Sequence, residues 1–182
     1  MKTLKKLGLV ILALVAIILI AALFVSRDFK YEISTQINAP QEVVWENVNS
    51  LADLNAWGPW AEYDPAMKMS QSGVDGTVGA IWSWESDHER VGSGKQTITR
   101  IDAPNEIDLE LKFYTPYESE AAEYIILKPN NNGTEVVWGF TSEMPYPFNL
   151  MQLFMDIDEA IRTDFNRGLS NLKSMSEHQA SN

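Results

Sequence analysis

Glu123 is the ionisable side chain whose neighbours give it the clearest chemical use. It stands in the strand-like run Ala121–Lys128, which the segment KPNNNGTEVVW joins to a second run, Thr134–Thr141. Tight hairpins favour Asn-Asn or Asn-Gly at the turn, and any loop of even length keeps the parity of the pairing. With Asn132-Gly133 as a two-residue turn, Leu127 faces Trp138, Ile125 faces Phe140 and Glu123 falls opposite Ser142. Opposed residues share a face. Ile125, Leu127, Trp138 and Phe140 are therefore expected inside, with Tyr124, Ile126, Lys128 and Val137 outside, and the same parity draws Glu123 inward. A carboxyl at the edge of an apolar pocket can hold a ligand's polar group or act as a base with a raised pKa. The plainer expectation is a strand-end glutamate reaching water past the rim, since unpaired carboxylates are rarely buried.

Other chemistry finds little footing. Asp87-His88-Glu89-Arg90 lacks the i, i+4 histidine pair of a zinc protease, and His178 in the tail is the second of only two histidines. The run falls between two strands, where charged residues form a solvated turn. No G-x-S-x-G nucleophile motif and no phosphate-cradling glycine motif occurs. With no cysteine, thiol catalysis and thiolate metal sites are out of reach. Gly92-Ser93-Gly94 reads as a bulge that bends a strand. No metal, no cofactor and no paired catalytic acid and base are expected; Glu123 is the one weak catalytic candidate.

The elements that must position these residues are legible from periodicity. Tyr31–Ile37 alternates as a strand and stops at Asn38-Ala39-Pro40. Pro40 suits a helix start, and a second short helix runs from about Leu51 to Trp57, capped by Ser50. Six strands follow, at roughly Met67–Gln71, Val78–Glu85, Gly94–Ile101, Glu106–Tyr114, Ala121–Lys128 and Thr134–Thr141, with turn residues between them. Ile107, Leu109, Leu111 and Phe113 alternate with polar residues, so one sheet face is buried and one wet. Trp82 and Trp84 alternate with Ser83 and Glu85 and are expected inside. From Phe148 to about Met175, Leu150, Phe154, Ile157, Ile161, Phe165, Leu169 and Leu172 form one apolar helical stripe. A single sheet cannot bury its inner face alone, and one long helix is the available cover. The expected architecture is α+β: a helix-grip fold, a curved antiparallel sheet of about seven strands around the C-terminal helix.

The N-terminus adds one transmembrane helix to that expectation. Leu7–Val25 carries no charge over about nineteen residues, enough to cross a hydrocarbon core of about 30 Å. Lys2, Lys5 and Lys6 precede it, which predicts a cytoplasmic N-terminus and a periplasmic or extracellular domain. The run is longer than a cleaved signal's apolar core, so an uncleaved anchor is expected. The resulting division is residues 1–6 cytoplasmic, 7–25 anchor, 26–30 tether, 31–176 domain and 177–182 disordered tail. Beyond the three lysines, eleven basic residues face 25 acidic ones. That balance argues against nucleic acid as a partner.

The loop WGPWAEYDPAM, residues 57–67, places Trp57, Trp60 and Tyr63 where the cavity of such a fold opens, as a plug for the core or as a lid over a ligand. The chain resembles the START-like superfamily, specifically its polyketide cyclase/dehydrase-like branch. The resemblance rests on residues 37–40 (INAP) with Val44-Trp45, on Trp57, Pro59, Trp60 and Asp64-Pro65, and on Gly76, Gly79-Ala80 and Trp84. It continues through Val91-Gly92-Ser93-Gly94, Phe113, Pro116, residues 133–138 (GTEVVW) and residues 164–173 (DFNRGLSNLK). It implies an internal cavity for a hydrophobic small molecule or lipid. The expected lining is Trp57, Trp60, Tyr63, Trp82, Trp84, Leu109, Leu111, Phe113, Glu123, Ile125, Leu127, Trp138, Phe140, Phe154 and Ile161. A membrane-anchored binder ranks first, ahead of a cyclase, dehydratase or hydrolase in the same cavity. A structural module filled by its own tryptophans is the third alternative. A pocket of about 300 Å³ or more marks the binder.

Overall fold

The computed structural model describes residues 2–154 and 157–182. Two compact units emerge, Met1–Phe29 with Glu143–Ile157 and Lys30–Ser142 with Asp158–Asn182. In chain order the elements are α1 (Lys2–Ala22), β1 (Asp28–Ile37), α2 (Gln41–Glu46), α3 (Leu51–Trp57), α4 (Trp60–Tyr63), β2 (Lys68–Ser72), β3 (Ile81–Glu85), β4 (Ser93–Asp102), β5 (Glu106–Thr115), β6 (Ser119–Asn130) and β7 (Gly133–Glu143). A 3-10 turn, Phe148–Leu153, and α5 (Ile157–Ala180) complete them.

The strands form one seven-stranded open antiparallel sheet in the order β1-β7-β6-β5-β4-β3-β2. Burial alternates along β6, where Ala121, Glu123, Ile125 and Leu127 are the buried positions. Phe165, Leu169 and Leu172 of α5 join Ile107, Leu109, Ile125, Leu127 and Trp138 in one core. Helix and sheet thus cover each other's apolar faces in the helix-grip manner. The β4–β5 ladder slips between Ser93 and Gly94, as the glycine pair predicts, and again between Ile98 and Arg100.

Local chemistry sets the helix ends around the sheet. Ser50 accepts a bond from the Asp53 N–H, 3.1 Å, at the head of α3. Asp75 adds a second cap from another part of the chain, accepting from the N–H groups of Leu51 and Ala52 at 2.8 and 3.0 Å.

Three expectations are corrected. The β6–β7 turn is Asn131-Asn132, so Asn130 pairs with Gly133, Ile125 with Trp138 and Glu123 with Phe140. The register is displaced by two residues, which keeps the parity of the faces, but Val137, expected outside, is buried at 5 % exposure. Gly133 is needed in the strand instead: its φ is +116°, and a Cβ there would strike the backbone at Ile37–Ala39. The predicted single helix from Phe148 to Met175 is a 3-10 turn followed by α5, with residues 155 and 156 outside the described residues. Finally, α5 continues to Ala180 where a disordered tail was expected from residue 177. Its last turns are tied down: Glu177 accepts from the Asn38 N–H at 2.9 Å, and Asn47 donates to Ser176 and Gln179.

Candidate functional site

Within the larger unit the inner sheet face and the short helices leave a cavity of about 110 Å³. Its sides come from Leu54, Asn55, Trp57 and Trp60 on α3 and α4, Met67 before β2, and Trp84, Gln96, Leu111 and Phe113 on β3, β4 and β5. Glu123 of β6 and Trp138 of β7 close it from within, and Arg90 and Val91 of the β3–β4 turn complete it. The volume falls below the ~300 Å³ expected of the binder, and four indoles line it, as the module filled by its own tryptophans would have them. It is close to the ~150 Å³ that holds one benzene ring in an engineered apolar cavity.

Glu123 is the chemical focus. It is only 4 % exposed. The Trp138 Nε1–H donates to Oε1 at 2.6 Å, and the Gln96 amide donates to Oε2 at 2.9 Å. Burial pushes its carboxyl up to about 7, against the lowering effect of these two bonds. The expected strand-end glutamate reaching water is corrected accordingly: Glu123 is buried, opposite Phe140, two residues along β7 from the expected Ser142. A carboxyl poised near neutrality can accept from a ligand hydroxyl when ionised and donate to a ligand carbonyl when protonated.

Trp138 ties this group to the core. Its ring stacks on Phe165 of α5, centroids 3.8 Å apart and 7° from parallel, and meets Trp57 and Trp60 edge-on at 4.9 and 6.1 Å. The Trp57 Nε1–H donates to the Asn47 carbonyl at 2.9 Å, which fixes the second indole. At the cavity's outer side the Tyr63 ring meets the Arg90 guanidinium, 4.5 Å from its centroid, and stacks with the His88 ring at 5.9 Å. Tyr63 donates to Asp164 at 2.6 Å, and Arg90 bonds the same carboxylate at 3.1 and 3.3 Å. This clasp joins the turn after β3 and α4 to α5. The Asp164 bond and burial together raise the Tyr63 pKa.

The structure brings together Trp57, Trp60, Trp84, Leu111, Phe113, Glu123 and Trp138 at the cavity. Leu109, Ile125 and Leu127 are buried core beyond it, and Trp82, Phe140 and Ile161 pack partly buried against that core. Tyr63 belongs to the clasp. Phe154 is 84 % exposed beside the 3-10 turn and lines nothing, a correction that follows from the break in the predicted helix. Sequence reasoning missed Gln96, although β4 parity from Gly94 would have placed it inward. It also missed Arg90, assigned to a solvated turn, because its partners stand far away in the chain.

The pattern of the family described as polyketide cyclase / dehydrase and lipid transport matches residues 28–177. The chain belongs to that family. No curated protein matches it. Among solved structures it is similar to a Nitrosospira multiformis protein, at 19% identity and a TM-score of 0.62, covering 85% of this chain and 100% of that one. A Staphylococcus aureus protein of unknown function aligns at 12% identity and TM-score 0.62, over 86% and 98% of the two chains. The di-domain ARO/CYC StfQ of the steffimycin biosynthetic pathway aligns at 7% identity and TM-score 0.63, over 85% of this chain and 52% of StfQ. These likenesses show the fold, and the family membership marks it as a ligand-binding one.

In this family member Gly168 sets how closely α5 approaches the cavity. A Cβ there would stand 2.8 Å from Trp138 Cζ3 and 3.1 Å from Trp57 Cζ3. Both indoles are held by hydrogen bonds and cannot retreat cheaply. Gly168→Ala gains about 1 kcal/mol of helix propensity against an overpacking cost of about 1–3 kcal/mol. The expected result is a net loss of stability of about 1 kcal/mol in urea denaturation, set by overpacking. A gain would show that the indoles have room to move.

Proposed function

We propose that the chain is a single-pass membrane protein that binds a small hydrophobic molecule, or the end of a lipid chain, in the Glu123 cavity. The observation that carries the reading is a buried, hydrogen-bonded carboxyl lining an otherwise largely apolar cavity. Removal of apolar ligand surface from water supplies the drive, roughly 25 cal/mol per Å² before ordering costs. The carboxyl supplies orientation. At about 110 Å³ the cavity takes one ring or a short branched group.

Support for anchoring comes from α1, whose stretch Lys5–Ala22 is long and apolar enough to cross a membrane. The lysines at its start favour a cytoplasmic N-terminus, with the larger unit periplasmic or extracellular. An anchored cavity stays where hydrophobic ligands partition. A second reading, acid–base catalysis on the bound molecule, is favoured by the Glu123 pKa of about 7.

Phenol and toluene, similar in size, test the binding reading in the detergent-solubilised full chain, with tryptophan emission as the readout. Saturable binding is expected for both, with phenol about tenfold tighter through one hydrogen bond to a charged group. Equal affinities would remove Glu123 from recognition. No saturable change with either would leave the cavity a packing void. Conversion of a bound compound that stops in Glu123→Gln while binding persists would favour the catalytic reading.

A further inference from the structure

Residues 144–154, MPYPFNLMQLF, contain no charged residue in a protein carrying 25 acidic ones. Within the smaller unit this segment sits against the C-terminal end of α1. Asn149 donates its amide to the carbonyls of Ala22 and Val25 at 2.8 and 2.9 Å. Gln152 donates to Ser26 at 3.1 Å, and Tyr146 donates to Leu19 at 3.0 Å. The last carbonyls of a helix have no partner within it. Here Tyr146 and Asn149 supply partners to those of Leu19 and Ala22, and Asn149 and Gln152 hold the Val25 and Ser26 carbonyls just beyond.

The opposite side of the segment is apolar and uncovered. In a 3-10 turn residues three apart lie above one another. Asn149 and Gln152 therefore share the face turned to α1, while Phe148, Met151 and Phe154 share another. Those three are 62, 42 and 84 % exposed, and Leu153 beside them is 62 % exposed. Leu23 and Phe24, just past the end of α1, are 69 and 85 % exposed. Elsewhere in the described residues outside α1, exposed large hydrophobics such as Val74 and Tyr117 are scattered. A contiguous patch of this kind marks a binding surface.

We propose that residues 144–154 form a second membrane contact, lying in the headgroup–acyl boundary of the leaflet where α1 emerges. The inference rests on the reading of α1 as a membrane anchor. Its occupant is lipid because the segment is hydrogen-bonded to the helix turns that meet the bilayer surface. Aromatic side chains with adjacent polar groups favour that depth. Charge is absent where a protein partner of this acidic chain would find complementary ion pairs elsewhere on its surface. The segment also satisfies carbonyls that thin hydration at that depth leaves without water.

The absence of cysteine makes the test direct. Single variants Leu14→Cys, Val74→Cys, Phe148→Cys, Met151→Cys and Phe154→Cys of the full chain are spin-labelled and placed in phosphatidylcholine–phosphatidylglycerol vesicles. Collision with oxygen, which concentrates in lipid, is compared with collision with a water-soluble nickel chelate. Labels at 148, 151 and 154 are expected to show an oxygen-to-nickel ratio several-fold above that at 74 and approaching that at 14. A lipid-like ratio at 14 with water-like ratios at 148, 151 and 154 overturns this inference and leaves the anchor standing. A water-like ratio at 14 overturns the anchor and the inference together.

Discussion

Glu123→Gln will flatten the pH dependence of stability between about pH 4.5 and 7. In the folded chain burial lifts this carboxyl to about 7 from an ordinary value of 4.5. The folded state then holds the proton more tightly than the unfolded one, so its contribution is fully present below pH 4.5. It is lost as pH rises through 7, an amount of roughly 3 kcal/mol. Glutamine mimics the protonated acid: its oxygen accepts from Trp138, and the Gln96 amide can turn to present its oxygen to the new N–H₂. Urea denaturation of the full chain in detergent at pH 4 and pH 8 gives the comparison. Similar stabilities at pH 4 and a variant more stable by up to roughly 3 kcal/mol at pH 8 are expected. The many exposed acids affect both proteins alike, so the difference isolates Glu123. Parallel profiles would mean that the carboxyl reaches water.

The largest loss of stability is expected from Trp138→Ala. The indole stacks on Phe165, meets Trp57 and Trp60 and holds Glu123, all from a position 1 % exposed. Removing a buried large aromatic side chain costs about 3–5 kcal/mol. Against a typical total of about 5–15 kcal/mol, such a loss consumes much of the fold's margin. Trp138→Phe narrows the comparison, since it keeps a stacking ring while removing the N–H and part of the indole's volume. A shortfall below about 1 kcal/mol for the alanine variant would show that Phe165 and Trp57 collapse into the space.

The parts of this molecule that could be read in its sequence are those set by local period. Alternation along β5 and β6 placed Leu109, Leu111, Ile125 and Leu127 on the inner face, and a hairpin register two residues out could not disturb that parity. Trp84 and Trp138 followed from the same rule, whereas Trp57 was read from its loop as a plug or lid at the cavity. What escaped depended on partners remote in sequence. Arg90 reads as a turn charge until Asp164 and Tyr63 are seen beside it. Phe154 fits an α-helical stripe because spacings of three are common to the α-helix and the 3-10 turn. The backbone bonds of Leu150 to Pro147 and of Phe154 to Met151, each three residues back, distinguish them. Gly133 looks like a hairpin tip until the crossing backbone at Ile37–Ala39 explains it.

The first and last segments of the larger unit are stitched to each other. Lys173 donates to the Gln36 carbonyl at 2.7 Å, Glu177 receives the Asn38 N–H, and Gln179 reaches Glu46 at 2.7 Å. Contacts that span nearly the whole length of a chain form slowly, because a long loop must close before they are rewarded. Until α5 docks, Trp138 has no Phe165 and the inner sheet face has no cover. Completion of the core therefore waits on the helix that follows every strand in the chain.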